Sequence, residues 1–551
     1  MTASEASVGR SSLILAMGTL VSRVLGFVRS FLIVAVLGVS TTASNAFMTG
    51  NQIPSLLYQL TAGGVLTAVL VPQIVQATKG EDGGRGYINK IMTLVLIGLL
   101  GITALLVLIA PLITAAFTQG WSGPDLALAT AFTYWCMPQV FFYGLYALLG
   151  GIFNARKVFG PFTWAPVLNN VVSIAGFLIF LWLFGADPQG TTPVADWTPS
   201  MIATLGLSAT LGVAAQALIM FVWWRRSGLS YSVDVHWRHV GLGPTFKAAV
   251  WILGMVALDW VHSFVKTIVA NSTEPHRVAG DTSLMGLTSF ETASLIQLLP
   301  HGIIAVSIAT VYFTRFSEHA AEHDRPALIG DLSASLRHTG VLTVFAAALM
   351  TVLANPIARV FTTAEYGQIE AFGRILMVLL PFLVVVSADL FFIRAFYALD
   401  DTRTPFLVAA ARMVLVLPAY WAASQAEAHW VVFCLVIVAS LAITFDTIVL
   451  AMLLRRRLGG IDGAHILRTH VRLLVAALIS AAVGVIVANL LGSYTPGGFA
   501  ISTRLSALVT VVAVAIPTAA VYLLLLRLMR VDELATFVTP VRRIAGRLRH
   551  R

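Results

Sequence analysis

The sequence predicts an all-α integral membrane protein of about fourteen transmembrane helices, and three observations predict it. Of its 551 residues, 58% are hydrophobic and 11% are charged, whereas a soluble globule carries roughly 25% charged residues. Apolar runs of about 20 residues or more recur along the chain, each long enough to cross a hydrocarbon core of about 30 Å at 1.5 Å per residue. Lys and Arg collect in alternate connections between those runs, which is the bias that orients a membrane protein.

In chain order the expected spans are 12–37, 43–77, 88–117, 126–154, 161–185, 198–224, 244–270, 283–314, 334–362, 370–398, 405–423, 428–454, 466–492 and 504–529. The segment before the first, "MTASEASVGR", has no basic region leading into a short apolar core and a small-residue cleavage site, so that span is expected to be retained. The connections with Arg10; Lys79, Arg85 and Lys90; Arg156 and Lys157; Arg225, Arg226 and Arg238; Arg315 and Arg325; Arg403; and Arg455, Arg456 and Arg457 are expected in the cytoplasm. So is the tail with Arg542, Arg543, Arg547, Arg549 and Arg551. The opposite loops hold almost no basic residues, Arg277 and Arg504 excepted, so both termini are expected on the cytoplasmic side.

The net charge of +10 is distributed as topology demands, which speaks against nucleic acid as a partner. The tail "RRIAGRLRHR" is a solvated segment or lies against anionic headgroups, at about 1 kcal/mol per basic residue near the surface. Cys136 and Cys434 fall in separate spans without partner spacing, so no disulfide and no metal site is expected. His319 and His323 have the i, i+4 spacing that binds zinc, but without further ligands nearby they read as a solvated helix. Phosphate-binding glycine loops, HExxH and nucleophile elbows are absent, so neither an enzyme nor a cofactor is expected.

The chain reads as doubled. "GIFNARKVFGPFTWAPVL" (151–168) and "RAFYALDDTRTPFLVAAARMV" (394–414) each run from an aromatic through a charged turn to a Pro that starts the next helix, where its missing N–H costs nothing. They stand six spans apart, which predicts two six-helix pseudo-repeats in parallel orientation. The expected organisation is an N-terminal lobe over 1–227, an amphipathic cytoplasmic linker over 228–243 and a C-terminal lobe over 244–460. Helices 13 and 14 follow over 461–530, and a basic tail over 531–551.

"SRVLGFVRS" (22–30), "SNAFMTGNQIPSLLYQLTAGGVLTAVLVPQ" (44–73), "LLPHGIIAVSIATVYFTRFS" (298–317) and "FYALDDTRTP" (396–405), in that order, resemble the MurJ/MviN lipid II flippases. The likeness is to the actinobacterial type, within the MOP superfamily that includes multidrug and oligosaccharide-lipid exporters. It implies a transporter of the bacterial plasma membrane acting in peptidoglycan biosynthesis and cell shape. Its implied cargo is lipid II, the undecaprenyl-pyrophosphate-linked disaccharide-pentapeptide, carried from the inner to the outer leaflet by alternating access. The implied cavity is lined by spans 1, 2, 7 and 8, with a lipid-tail groove leading to spans 13 and 14. Implied partners are lipid II, membrane lipids and cell-wall synthesis or division proteins. Coupling to membrane potential or to a cation is also implied. Two other readings stay open: an exporter of another polyprenyl-linked glycan or amphiphile, and a non-transporting scaffold for cell-wall synthesis.

Arg23 and Arg29 stand in a run that is otherwise almost wholly apolar. Arg23 is eleven residues past Ser12, roughly 16 Å along a helix and near mid-membrane, where an unpaired Arg costs about 2.5–3.5 kcal/mol on insertion scales. A guanidinium stays protonated and matches phosphate oxygens with a fork of donors, so both arginines are expected to bind an anionic headgroup, or else to pair with acids such as Glu291 or Asp259. Ser30, Asn45, Tyr58, Gln59, Gly63, Ser294 and Leu295 stand where the family commonly has charge. Lys266, near where some relatives hold sodium, is expected to replace that cation or to serve as a third phosphate contact, unless it reaches the outer surface. Asn45, Asp259 and Glu291 are candidate polar or charged partners in the cavity. Arg394 and Arg412 are expected to anchor cytoplasmic helix ends.

Overall fold

Hydrocarbon offers backbone N–H and C=O groups no partner, so a chain that crosses it must satisfy them within each segment. The computed structural model describes residues 3–58, 84–156, 158, 160–226, 231–234, 243–277, 281, 283–363 and 365–534. Among the described residues every regular element is helical, and 13 segments are long and apolar enough to span a membrane. We label the long helices α1 (Ala3–Leu37), α2 (Thr42–Tyr58), α3 (Arg85–Leu108), α4 (Gly123–Cys136), α5 (Gln139–Ala155), α6 (Gly160–Phe184), α7 (Pro199–Leu218), α8 (Gly243–Asn271), α9 (Leu287–Pro300), α10 (Val306–Ala321), α11 (Arg325–Val352), α12 (Tyr366–Leu379), α13 (Leu383–Ala398), α14 (Arg403–Ser424), α15 (Ala428–Leu458), α16 (Gly463–Leu490) and α17 (Arg504–Leu528). The second expected span, 43–77, is described only as far as Tyr58, and Gln59 and Gly63 lie outside the described residues.

Proline sets most of the starts and interruptions. Pro199 and Pro326 open α7 and α11, where the Thr198 and Asp324 side chains accept the orphan N–H groups of Met201 (3.3 Å) and Ala327 (3.0 Å). Inside spans proline breaks the helical ladder. Pro138 separates α4 from α5, Pro300 leads into a π-helical turn over His301–Ala305, and Pro381 lies in the 3₁₀ turn Leu380–Phe382.

The chain divides into two compact units, 1–281 with 286–288, and 282–285 with 289–551. The sequence division starts the second lobe at 244, but α8 belongs to the first unit. Its C-terminal end is bonded into that unit: Asn271 Nδ2 donates to Thr49 Oγ1 (3.0 Å) and to Phe117 O (2.9 Å), and Trp121 Nε1 donates to Asn271 O (2.8 Å). Of the linker, Tyr231–Asp234 rests on α3, with Asn89 Nδ2 donating to Ser232 Oγ (2.8 Å) and Asp234 N to Thr93 Oγ1 (3.1 Å). The first unit's core is aromatic around Phe47, whose ring meets Phe132 and Phe177 edge-on at 5.4 and 5.7 Å. Gly50 permits this packing of α2 on α4, because a Cβ there would lie 2.9 Å from the Thr133 backbone nitrogen.

In the second unit, α16 packs on α11, and α17 packs on α16 and on the short helix Ala354–Phe361. Polar groups tie these helices together. Tyr522 donates to Val341 O (2.9 Å), Tyr494 to Val352 O (2.6 Å), and Arg359 Nε to Ile501 O (2.8 Å). Buried Glu533, at the start of the tail, pairs with Arg337 of α11, and Ser333 Oγ donates to Asp462 Oδ2 (2.7 Å). α17 stays one helix through Pro517 and turns Leu505, Leu508, Val512 and Ile516 outward. The rest of the basic tail lies outside the described residues.

The turn between α13 and α14 is held by Asp401, which accepts from Thr404 N (2.9 Å) and Thr404 Oγ1 (2.7 Å) and pairs with Arg457. Partial burial alone raises this carboxyl, but the bonds from Thr404 and Arg457 together hold it below the usual carboxylate range. A lowered folded pKa contributes stability above the unfolded value that is lost as pH falls through the folded one. Thermal stability of the wild type should therefore decline more steeply on acidification than that of Asp401→Asn, and parallel profiles would refute the assignment. Removing one partner of a buried ion pair costs on the order of 3 kcal/mol. Glu533→Ala should accordingly lower the unfolding temperature in detergent markedly, whereas Arg337→Met with Glu533→Leu should recover most of the loss.

Candidate functional site

Six residues separate Arg23 from Arg29 on α1, roughly 9 Å along the axis and about 120° around it. The two side chains therefore do not share one environment. Arg23 is exposed, and Arg29 is half-buried with its Nε enclosed and without a hydrogen-bond partner. Beside Arg29 lies Tyr143 of α5, close enough for the two to interact electrostatically, and the Tyr143 ring stacks on Tyr58 of α2 at 5.2 Å.

This placement follows from helical spacing. Gln139 and Tyr143, at i and i+4, lie on one face of α5. Gln139 Nε2 donates to Asn51 Oδ1 (3.0 Å) and Tyr143 meets Tyr58, seven residues further along α2 on the same face. One turn on, Tyr146 donates to Phe162 O (2.9 Å) and stacks on the Phe162 ring at 5.0 Å. α1 is fixed against α6 where Asn170 Nδ2 donates to Ser22 O (2.9 Å), next to Arg23. Sequence reasoning passed over Tyr143 because one tyrosine in an aromatic run, "FFYGLY", carries no local signal. The i, i+4 relation to Gln139 is the one cue it offered.

Asn45 belongs to a different set. It is fully buried, donates from Nδ2 to Glu274 Oε2 (2.8 Å) and accepts at Oδ1 from the backbone N–H of Thr288 (3.0 Å), in the first turn of α9. Glu274, just past the end of α8, is almost completely buried. It also accepts from Thr42 Oγ1 and pairs with Arg277 Nε at 2.7 Å. Five groups thus form a clamp joining the start of α2, the end of α8 and the start of α9. Glu274 lies in the polar stretch "NSTEPHR" beyond the span, where an acid carries no local sign of its partners.

Of the other candidates, Lys266 lies half-buried on α8 and Asp259 is exposed one heptad earlier on the same helix. Glu291 is half-buried on α9 and belongs to the second unit. Arg394 lies over the Phe313 ring at 5.5 Å. Arg412 is not a helix-end anchor: it stands mostly buried in the interior of α14 and pairs with Asp446 of α15 at 3.0 Å. His319 bonds Asp331 through Nε2 (3.1 Å), and Asp331 also holds Arg315 (2.6 Å). Among the described residues no group of three or more His, Cys, Asp or Glu side chains is arranged to hold a metal ion.

A multi-pass bundle of membrane-spanning helices, the first carrying a half-buried guanidinium, has the architecture of a membrane transporter. The profile of the family described as lipid II flippase MurJ matches residues 33–526, and the chain belongs to that family. The match begins beyond both arginines. The chain is 26% identical over 409 residues to a probable lipid II flippase MurJ of Rhizobium meliloti, covering 71% of this chain and 70% of that one. It is 25% identical over 427 residues to the corresponding protein of Haemophilus influenzae, covering 72% and 77%. Its fold is similar to a solved lipid II flippase MurJ in an inward closed conformation, with a TM-score of 0.68 and 18% identity over 93% of this chain and 98% of that one. It is also similar to an inward-facing multidrug resistance transporter of the MATE family and MOP superfamily, with a TM-score of 0.62 and 15% identity over 80% and 96%.

The clamp supplies a prediction. Glu274→Ala leaves Thr42, Asn45 and Arg277 without their shared acceptor, and should lower the thermal stability of the purified protein by an amount on the order of 3 kcal/mol. Glu274→Gln, which keeps an acceptor oxygen, should cost less. Equal losses for the two would show that shape rather than charge holds the clamp.

Proposed function

We propose that this chain moves lipid II from the inner to the outer leaflet of a bacterial plasma membrane by alternating access, with both termini in the cytoplasm. The observation that carries the binding role is Arg29, a permanent charge within a membrane helix whose enclosed Nε has no hydrogen-bond partner. A buried donor left unmade is costly, more so when charged, and a pyrophosphate supplies what it lacks: several anionic oxygens in a geometry that suits a guanidinium. Tyr143, within electrostatic reach of Arg29 and stacked on Tyr58, adds a hydroxyl that could serve the same headgroup. Exposed Arg23 meets the same anion earlier on its path, and Lys266 provides a further cation on α8. The polyprenyl tail stays in hydrocarbon against the outward apolar faces of α16 and α17, which carry Leu474, Leu478, Leu508 and Val512. Cell-wall synthesis or division proteins are natural receivers of the delivered precursor.

Loss of one charge-assisted contact costs about 1.5–3 kcal/mol, or roughly 10- to 100-fold in binding. In a strain depleted of its own flippase, Arg29→Ala should fail to support growth while accumulating normally in the membrane, since removal of the charge relieves an insertion cost. Arg29→Lys should retain part of the activity, and Arg23→Ala should weaken it. Normal lipid II delivery by Arg29→Ala, read by labelling of lipid II at the outer face, would defeat the assignment.

A further inference from the structure

The second unit carries a small basic cavity at the ends of four of its helices. The turn from α10 to α11, the turn after α13 and the end of α15 enclose about 240 Å³, lined by His319, His323, Arg325 and Arg457 with Leu328 and Leu458. Among the described residues that line it there is no carboxylate. The four basic side chains stand three to nine residues beyond the ends of the expected spans, roughly 5–14 Å at 1.5 Å per residue. Water and lipid headgroups, not acyl chains, are their neighbours, and in the orientation proposed above the cavity opens to the cytoplasm.

The nearby acids are committed to other partners. Asp331 holds Arg315 at 2.6 Å and lies 3.1 Å from His319 Nε2, Asp324 accepts from Ala327 N at 3.0 Å, and Asp401 accepts from Thr404 and pairs with Arg457. Arg457 Nη2 also donates to Leu399 O (3.3 Å), which fixes the guanidinium at the cavity wall while leaving donors of its fork unused. Among the described residues no acid pairs with Arg325 or His323. His319 Nδ1 is enclosed and has no hydrogen-bond partner. His323 stands in the left-handed region at φ 59°, which residues other than glycine rarely adopt, with Nδ1 3.2 Å from both Ala320 O and Ala321 O. Backbone strain of this kind collects at ligand clamps. Each imidazole thus has one nitrogen against a protein oxygen, and as an imidazolium it offers the other N–H to an anion.

We propose that this cavity binds a phosphate group. Guanidinium forks match phosphate oxygens, the two imidazoles add N–H donors, and the leucines close the wall toward the membrane core. A cation is repelled by the arginines. The volume is below the 300–1,000 Å³ or so of pockets that take drug-sized ligands, so the phosphate enters with little else attached, as inorganic phosphate, a small phosphate ester or the headgroup of a lipid whose chains stay outside. Basic pockets between membrane helices at the polar face suit such headgroups. The helices beneath already pack through Phe316, Leu328, Phe396 and Leu458. An anion between Arg325 of α11 and Arg457 of α15 adds a contact across their ends, so its binding stabilises the folded protein.

This site is independent of the transport reading. Full-length protein in phosphatidylcholine nanodiscs should bind radiolabelled inorganic phosphate saturably, and its unfolding temperature should rise with phosphate but not with chloride at equal ionic strength. Arg325→Gln should weaken phosphate binding roughly 10- to 100-fold, the loss of one charge-assisted contact, and Arg325→Lys should retain part of it. Without phosphate the Arg325→Gln protein should unfold where the wild type does, because Arg325 is exposed at the start of its helix. Arg29→Ala should leave phosphate binding unchanged. Native mass spectrometry of protein from nanodiscs containing phosphatidylglycerol separates the two sources. Retention of that lipid by the wild type but not by Arg325→Gln assigns the site to a headgroup, whereas inorganic phosphate bound undiminished in those nanodiscs assigns it to a soluble phosphate. Failure to bind either, binding equal in wild type and Arg325→Gln, or binding lost in Arg29→Ala would overturn the site.

Discussion

A charge inside a bilayer has no water to solvate it, and each one must be matched by an opposite charge, by hydrogen-bond donors and acceptors, or by a ligand. The described helices obey this constraint in two ways. In the first unit the buried polar groups are mostly neutral and bond to one another: Asn169 to Gln216 at 2.8 Å, Gln139 to Asn51, Asn271 to Thr49 and Phe117. In the second they include full ion pairs, Arg337 with Glu533 and Arg412 with Asp446. Ions of opposite sign inserted together lower each other's desolvation cost, but they specify position more than they add stability.

Arg29 is among the buried groups this matching leaves incomplete, its Nε enclosed and without a hydrogen-bond partner. Asn170 and Asn271 find partners within the unit, whereas the enclosed Arg29 Nε keeps an unmet demand of the kind an anionic oxygen meets. The Glu274 clamp and the close packing of α2 on α4 at Gly50 hold the same unit together.

The extra pair of helices follows the same logic. α16 and α17 bury small residues such as Ala476, Ala477 and Ala507 against α11, the short helix Ala354–Phe361 and each other, and leave Leu, Ile and Val outward. Small residues allow close approach where lipid supplies no hydrophobic drive for association, and the Tyr522, Tyr494 and Arg359 bonds to backbone carbonyls fix the register. Their packed faces account for their attachment. Their outward faces form the hydrocarbon-like surface against which a tail is proposed to stay.

By itself the sequence determined the helical membrane architecture, the positions of nearly all the spans and the family, because length, apolarity and the placement of Lys, Arg and Pro are local properties that hydrocarbon enforces residue by residue. It marked Arg23 and Arg29 as anomalies for the same reason, made Asn45 a candidate without revealing what it touches, and assigned Arg412 to a helix end. Only the tertiary structure decided that α8 joins the first unit, that Asn45 is committed to Glu274, that Tyr143 stands by Arg29, and that Arg412 belongs with Asp446. Those are meetings between residues 30 to more than 200 positions apart, and their partners are chosen by packing geometry, which leaves no trace in the local pattern of a helix.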